Sequence, residues 1–340
     1  MISTLLVGFG FSAQTFHLPF VRGLNGFEVS GVVSSRPEAV AEVLPDTPVF
    51  ATLEDALAHG GFDLCIITTP NDLHYPQASL CLQAGCHVLV EKPFTLSAAD
   101  AASLAAQAEL SPGSIHVYHN RRFDGDFLTI RQLQESGRFG SIRRMVSRFD
   151  RFRPAPKNRW RENAGPGAGI FWDLGPHLID QAIQLFGTPE SVSANIAILR
   201  DGGQSDDCYD VTLFYPGLQV LVGSSPFQGD TTLRFDVQGT AGSYRKYGLD
   251  PQENQLKAGL PLNDDSFGVE DSSLQGKFCF ETACDPIATE RGNYVAFYEQ
   301  LKRAIVHGEA SPASAQSVIP VIQVIEAALQ SQAQEKRVYL

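Results

Sequence analysis

A short string near the start of the chain has two glycines two residues apart, and it directly follows the apolar run Ile2–Val7. An apolar run of this length is typical of a buried parallel strand. The glycines would let the backbone turn sharply and approach a pyrophosphate, whose charge is favourable at the N-terminus of the next helix. Such turns are common, but here the strand that the motif requires is present. The candidate cofactor-binding residues are Gly8, Phe9, Gly10, Phe11, Ser12 and Ala13.

A second string, Glu91-Lys92-Pro93, places a lysine directly after the strand-like run Cys86–Val90. Ligands of open parallel sheets bind at the carboxyl ends of the strands. A lysine has a pKa of about 10.4 in water, and partial burial beside a nicotinamide cation would lower that pKa towards neutrality. A dinucleotide site with a lysine at this edge therefore indicates hydride transfer with Lys92 as proton carrier. The alternative is a structural ion pair of Lys92 with Glu91 or a neighbouring helix.

A carboxylate and an imidazole lie four residues apart in a later string. If the string is helical, Asp173 and His177 share one face and Asp180 lies a further turn along. Proline is tolerated in a first helical turn, so Pro176 predicts that these residues lie where a helix begins. A histidine beside a carboxylate can exchange a proton near neutral pH. Alternatively, Asp173 caps the helix and His177 is only packed. The spacing would also permit a metal site, but no third ligand has suitable spacing and we expect no metal.

The cofactor's 2′ position should be bound near the end of the second strand, where an acidic residue would favour NAD. The sequence there is Val33-Ser34-Ser35-Arg36, with no acid before Glu38. Two hydroxyls and a guanidinium suit a 2′-phosphate, so Ser34, Ser35 and Arg36 favour NADP over NAD. The alternative is a turn with a solvated arginine.

Polar residues also follow the strand-like run Leu64–Thr68. They would line the nicotinamide-ribose side of the site, although an ordinary strand-to-helix turn uses similar residues. The candidates are Thr69, Pro70, Asn71 and His74.

The first 120 residues alternate between strand and helix patterns, which predicts a doubly wound parallel sheet. After Arg122 the pattern changes to short alternating runs, which predict a mixed or antiparallel sheet, with two helices closing the chain. We therefore predict an α/β protein with a dinucleotide-binding domain over 1–122 and a second domain over 123–340. Residues Gly248–Asp271 carry no clear pattern and are expected to form an irregular surface segment.

The 340 residues carry a net charge of −12 and are 43% apolar. This balance argues against a nucleic-acid or acidic-lipid partner, since phosphate neutralisation needs clustered lysine and arginine. The arginine-rich stretch Arg143–Arg161 is the one local exception, and it would form a solvated face or the wall of an anion-binding pocket.

The cysteines have neither a C-x-x-C pair nor zinc spacing, and several lie within apolar runs. Together with the absence of a signal-peptide start, a membrane-length apolar span or a lipidation motif, they predict a cytoplasmic protein with reduced thiols. The six are Cys65, Cys81, Cys86, Cys208, Cys279 and Cys284.

Together the strings resemble the glucose–fructose oxidoreductase and inositol dehydrogenase family in order and spacing over essentially the whole chain. The most specific part is Glu91-Lys92-Pro93. The resemblance implies Lys92, Asp173 and His177 as the catalytic set, and Trp160 and Arg161 near the nicotinamide. It also implies that Tyr118 to Arg122, including Asn120 as a cofactor contact, line the cleft. For the fold, it implies a Rossmann domain over 1–122, followed by a substrate-binding and oligomerisation domain over 123–340 whose open, mostly antiparallel sheet mediates dimers or tetramers.

Three strings are similar to one bacterial branch of that family, which includes NADP-dependent scyllo-inositol dehydrogenases. They are 33–36, 118–127 and 172–180. The resemblance implies a cyclitol or sugar hydroxyl as substrate and NADP as cofactor. Two alternatives are a glycosidase that uses tightly held NAD for a transient oxidation, and a non-catalytic NADP-binding regulator. The regulator would need neither Lys92 nor His177, and both are present.

Overall fold

The computed structural model describes residues 1–340, and the chain divides into two compact units. The first unit contains Met1–His119, Glu253–Phe267 and Tyr294–Ile319. The second contains Asn120–Gln252, Gly268–Asn293 and Pro320–Leu340. The chain therefore returns to the first unit twice after residue 119.

The first unit is built on a sheet of six parallel strands. They are β1 (Ile2–Val7), β2 (Phe27–Val33), β3 (Val49–Phe50), β4 (Leu64–Ile67), β5 (His87–Val90) and β6 (Ile115–Val117), in the spatial order β3-β2-β1-β4-β5-β6. Val7 pairs with Val33 on one side and Ile67 on the other, so the carboxyl ends of three strands meet at one edge. The predicted doubly wound parallel sheet is confirmed.

Five helices connect these strands: α1 (Leu18–Gly23), α2 (Pro37–Ala41), α3 (Leu53–His59), α4 (His74–Gln83) and α5 (Ala98–Leu110). The helical segment after the glycine turn is not a single regular α-helix. Ala13–His17 form a π-helical turn, and α1 begins after it. Pro19, in the first turn of α1, has no amide hydrogen, so an unbroken α-helical ladder cannot pass through it.

The second unit contains nine strands. One helix precedes the first of these strands, and another lies between the first and the second. The elements are α6 (Gly125–Glu135), β7 (Ile142–Arg148), α7 (Ile170–Phe186), β8 (Ser191–Ala197), β9 (Cys208–Tyr215), β10 (Leu218–Ser224), β11 (Leu233–Gly239), β12 (Gly242–Tyr247), β13 (Gly276–Phe280), β14 (Ala283–Ile287) and β15 (Val338–Tyr339). The strand order is β14-β13-β12-β11-β7-β10-β9-β8-β15. Only the β7–β10 pair is parallel, which confirms the predicted mostly antiparallel sheet.

The remaining helices are α8 (Gln252–Lys257), α9 (Tyr294–His307) and α10 (Ala315–Gln334). The prediction that Gly248–Asp271 is wholly irregular and superficial is wrong, because the segment contains α8 and buries Leu256 and Phe267. A helix of six residues is too short to leave a periodic signal in the sequence. None of the helices is long and apolar enough to cross a membrane.

The prediction of six reduced thiols is wrong for one pair. Cys279 of β13 and Cys284 of β14 form a disulfide. The hairpin register sets these two residues directly opposite each other, which brings their side chains together. The free thiols are Cys65, Cys81, Cys86 and Cys208, of which the first three are buried.

Candidate functional site

The glycine turn after β1 has both features that a bound pyrophosphate requires. Gly8 has a φ of +93°, and a Cβ there would lie 2.9 Å from Thr68 Oγ1, so only glycine fits the bend. A Cβ at Gly10 would meet no atom within 4 Å, so the backbone is open to a ligand on that side. Phe9 and Ala13 are buried beneath the turn, whereas Phe11 is exposed. The residues present therefore fit a dinucleotide.

The end of β2 carries the three residues predicted to select the cofactor. Arg36 is exposed, and its Nη2 lies 3.4 Å from the carbonyl oxygen of Phe9. Its amide donates to Ser34 Oγ at 3.1 Å, and Ser35 is exposed between them. The guanidinium thus lies beside the glycine turn, and no carboxylate of the chain is within ion-pair distance of it.

The segment after β4 is tied to the residue that follows Lys92. His74 Nδ1 lies 2.7 Å from the carbonyl oxygen of Pro93, and its Nε2 lies 3.0 Å from that of Thr69. The Thr69 hydroxyl donates to Gln77 Oε1 at 2.6 Å. Asn71 is buried and Pro70 is exposed. His74 therefore positions the two strand ends, which is a structural contact that the sequence did not indicate.

Glu91 is the centre of a hydrogen-bond network beneath Lys92. Its Oε1 accepts a short hydrogen bond from the Ser12 hydroxyl and lies 3.0 Å from His17 Nε2. Its Oε2 accepts the Lys92 amide at 3.1 Å. Burial acts to raise the pKa of Glu91, but the hydrogen bond and charge of His17, with Lys92 and Ser12, hold that pKa at about 2. Glu91 is therefore ionised at neutral pH.

Two members of this network were missed in the sequence. His17 is fully buried, and its Nδ1 lies 2.7 Å from the hydroxyl of Tyr298 on α9. Burial raises the pKa of Tyr298 well above its ordinary value, so its hydroxyl keeps its proton. The π-helical turn directs His17 towards Glu91. No local sequence pattern predicts such a turn. A weak signal was available, since His17 is a polar residue directly before Leu18 and Pro19.

In the second unit, helix α7 carries Asp173 and His177 four residues apart, as predicted. The expectation that Pro176 lies in the first turn is wrong, because α7 begins at Ile170 and Pro176 lies inside it. Asp173 is in the first turn and His177 is buried. Their shared helix face holds the carboxylate and imidazole in one region of this unit.

The N-terminus of α7 is capped by Asp206, a residue that the sequence analysis missed. Its carboxylate accepts the Phe171 amide at 2.6 Å, and its carbonyl oxygen accepts the Ile170 amide at 2.8 Å. Burial raises the pKa of Asp206 to about 6. Asp206, and not Asp173, therefore caps the first amides of the helix.

Other predicted residues of the second unit have defined contacts. Arg161 Nε lies 3.7 Å from Asp173 Oδ1, and its guanidinium lies 4.6 Å from the centre of the Trp160 ring. Asp180 has a different partner from Asp173 and His177, because both of its oxygens bind the Arg122 guanidinium, at 2.6 and 2.9 Å. Asn120 is buried in the turn before α6.

The predicted residues thus form two groups. One, in the first unit, comprises the glycine turn, the ends of β2 and β4, and Glu91-Lys92. The other, in the second unit, comprises Trp160, Arg161, Asp173 and His177. The first group can hold a dinucleotide beside a lysine, and the second can exchange a proton.

The chain resembles known proteins over nearly its whole length. It is 40% identical to the uncharacterized oxidoreductase YdgJ of Escherichia coli, over 96% of this chain and 95% of that protein. It is 35% identical to the scyllo-inositol 2-dehydrogenase (NADP(+)) IolW of Bacillus subtilis, over 98% and 95%. Among solved structures, YvaA of Bacillus subtilis superposes with a TM-score of 0.95 at 35% identity, covering 100% of this chain and 98% of that one.

Family models agree with these likenesses. Residues 2–119 match the NAD-binding Rossmann fold of an oxidoreductase family, and residues 131–340 match the C-terminal alpha/beta domain of the same family. Both models and the full-length relatives cover the motifs described above. The chain therefore belongs to the glucose–fructose oxidoreductase and inositol dehydrogenase family of oxidoreductases.

Proposed function

We propose that the chain is an NADP-dependent oxidoreductase that transfers a hydride between the nicotinamide and a secondary hydroxyl or ketone of a cyclitol or sugar. The observation that carries this proposal is the network through Glu91, which links Ser12 of the glycine turn to the backbone of Lys92. The relative IolW, named for scyllo-inositol and NADP, supports the choice of substrate and cofactor.

The cofactor contacts are assigned from the two groups of residues. The glycine turn would hold the pyrophosphate, and Ser34, Ser35 and Arg36 the 2′-phosphate. Residues at the nicotinamide end would be Thr69, Pro70, Asn71, His74, Asn120, Trp160 and Arg161. Bound there, the nicotinamide supplies the carbon that gives or takes the hydride.

The chain's own residues must bind the substrate oxygen and move one proton. In the oxidation direction, Lys92 Nζ would contact the hydroxyl oxygen as its proton leaves. We assign that proton jointly to Lys92 and the imidazole of His177. Asp173, one helical turn before His177, would orient the imidazole and favour its charged form. Positioned groups of this kind are worth roughly 10²–10⁴-fold in rate.

A panel of cyclitols and aldoses, assayed with NADP and with NAD, tests the proposal. We expect net NADPH formation with at least one free polyol. With NAD, we expect no polyol to be oxidised as fast as it is with NADP. Cleavage of glycosides without net cofactor reduction would point instead to transient internal oxidation. Cofactor binding without any turnover would point to a regulator.

We further propose a cytoplasmic homodimer or homotetramer with no nucleic-acid or membrane partner.

A further inference from the structure

The second unit contains a pocket whose wall is rich in arginine. It is bordered by the first residues of α7, the end of β10 and the loop after β7. We call it the arginine pocket, after its five guanidinium groups. These are Arg151, Arg153, Arg159, Arg161 and Arg200. In a protein with a net charge of −12, this is an unusual concentration of positive charge in one concavity.

Part of this charge is neutralised within the wall. Arg200 contacts Asp207 and Glu162, each at 3.0 Å, and all three side chains are almost fully buried. Arg159 contacts the same Glu162 at 2.6 Å. These two arginines therefore brace the pocket through a buried network, and that network holds the wall in place.

The other two carboxylates at the pocket are only partly available to the remaining arginines. Asp206 directs its carboxylate to the amide of Phe171, at the N-terminus of α7. Asp173 lies 3.7 Å from Arg161, beyond hydrogen-bond distance. Five guanidinium groups thus face four carboxylates, and the excess charge is positive.

Arg153, one of the five arginines of the pocket, has no carboxylate within ion-pair distance. Its backbone amide donates to the carbonyl oxygen of Pro226 at 2.8 Å, which fixes the loop at the pocket. Its side chain is half-buried and forms no ion pair. A half-buried guanidinium without a carboxylate is a ready partner for an anion from solution, because its planar N–H groups match carboxylate and phosphate oxygens.

We propose that the arginine pocket binds an anionic group, a carboxylate or a phosphate, carried by the substrate. This inference rests on the proposed function and deepens it. Asp173 borders the pocket and lies one helical turn before His177, so an anion held by Arg153 would anchor a substrate beside the imidazole. The substrate class is then a polyhydroxy acid or a phosphorylated sugar or cyclitol, and neutral polyols are its weaker analogues.

Matched pairs of compounds test the substrate class. The pairs are glucose with glucuronate, glucose with glucose 6-phosphate, and myo-inositol with myo-inositol 1-phosphate. We expect kcat/KM with NADP to be at least roughly tenfold higher for one anionic member than for its neutral partner, as a charge-assisted contact provides. The uronate and phosphate arms show which anion the pocket accepts. Equal or higher kcat/KM for every neutral member would overturn the inference and leave the proposed function intact.

Substitution of Arg153 tests the location of the site. Arg153→Gln should lower kcat/KM for the anionic compound roughly 10–100-fold and leave the neutral compound almost unchanged. The matched control is Arg144→Gln, an exposed arginine on β7 outside the pocket, which should change neither. The same loss for Arg153→Gln with neutral and anionic compounds would show a structural role and count against the pocket.

A direct binding measurement separates this inference from the proposed function. Calorimetric titration of the chain without cofactor, using the preferred anionic compound and inorganic phosphate, should show binding that Arg153→Gln weakens and Arg144→Gln does not. Arg153-dependent binding without turnover of any polyol would retain the pocket and overturn the proposed function. No binding of any anion would overturn the pocket.

Discussion

His17 and Glu91, which are 74 residues apart in the sequence, are joined by a buried hydrogen bond of 3.0 Å between Nε2 and Oε1. The opposite nitrogen of the imidazole lies 2.7 Å from the Tyr298 hydroxyl. Glu91 in turn accepts the Lys92 amide. Through these hydrogen bonds, Glu91 links the π-helical turn after the glycines to the backbone at Lys92 within the first unit.

The low pKa of Glu91 predicts a loss of stability in acid. Its pKa is lowered from 4.5 to about 2, so the stabilisation is fully present above pH 4.5 and disappears as the pH falls towards 2. We expect Glu91 to account for a decrease of about 3 kcal/mol in the free energy of unfolding across that window. Chemical denaturation at a series of pH values measures this decrease.

Glu91→Gln should remove this decrease in the free energy of unfolding between pH 4.5 and 2. We expect this result even if the variant is less stable than the unmodified protein at neutral pH. The control is Glu135→Gln, since Glu135 is exposed at the end of α6 and should leave the pH dependence unchanged. An unaltered slope in the Glu91 variant would mean that its carboxylate is not held ionised by His17.

The parallel sheet could be predicted because its strands carry a local signal. Central strands covered on both faces are continuous apolar runs, as in Leu5, Leu6 and Val7, which are fully buried. The glycine turn and Glu91-Lys92 follow such runs, so their place at the strand ends could also be inferred. These features depend on neighbours in sequence and need no knowledge of distant contacts.

The supporting residues could not be predicted, because their partners are remote in sequence. Asp206 caps a helix that begins 36 residues earlier, and Asp180 binds an arginine 58 residues away. The π-helical turn at His17 depends on Glu91 and Tyr298 in the same way. The disulfide is different, since Cys279 and Cys284 are five residues apart, and a hairpin between them would have been a reasonable prediction.

Arg36 predicts cofactor preference. We expect a clear preference for NADP, and Arg36→Ala should weaken NADP binding roughly 10–100-fold with a much smaller effect on NAD, because a charge-assisted phosphate contact is lost. Calorimetric dissociation constants for both cofactors measure this. Arg22→Ala, at an exposed arginine on α1, serves as the control. Equal or better turnover with NAD in the unmodified protein would contradict the prediction.

The large sheet of the second unit predicts self-association. Large apolar side chains remain exposed on its strands and connections, among them Ile198, Leu199, Tyr247 and Phe280. Such surface is commonly covered by a second subunit. We expect a dimer or tetramer by light scattering at micromolar concentration. A mass of one chain throughout a concentration series would show that the sheet is not an interface.

Substitutions at Lys92 and His177 should lower turnover. Lys92→Met and His177→Ala should each lower turnover roughly 10²–10⁴-fold, because each variant lacks a group assigned to the proton that must leave the substrate hydroxyl with the hydride. NADP should bind nearly normally to both variants, as measured by calorimetry, since neither substitution alters the glycine turn. Matched controls are Lys277→Met and His307→Ala, which replace exposed residues of the same types and should keep full turnover. Near-normal turnover in either test variant would remove that residue from the mechanism and leave it a packing role.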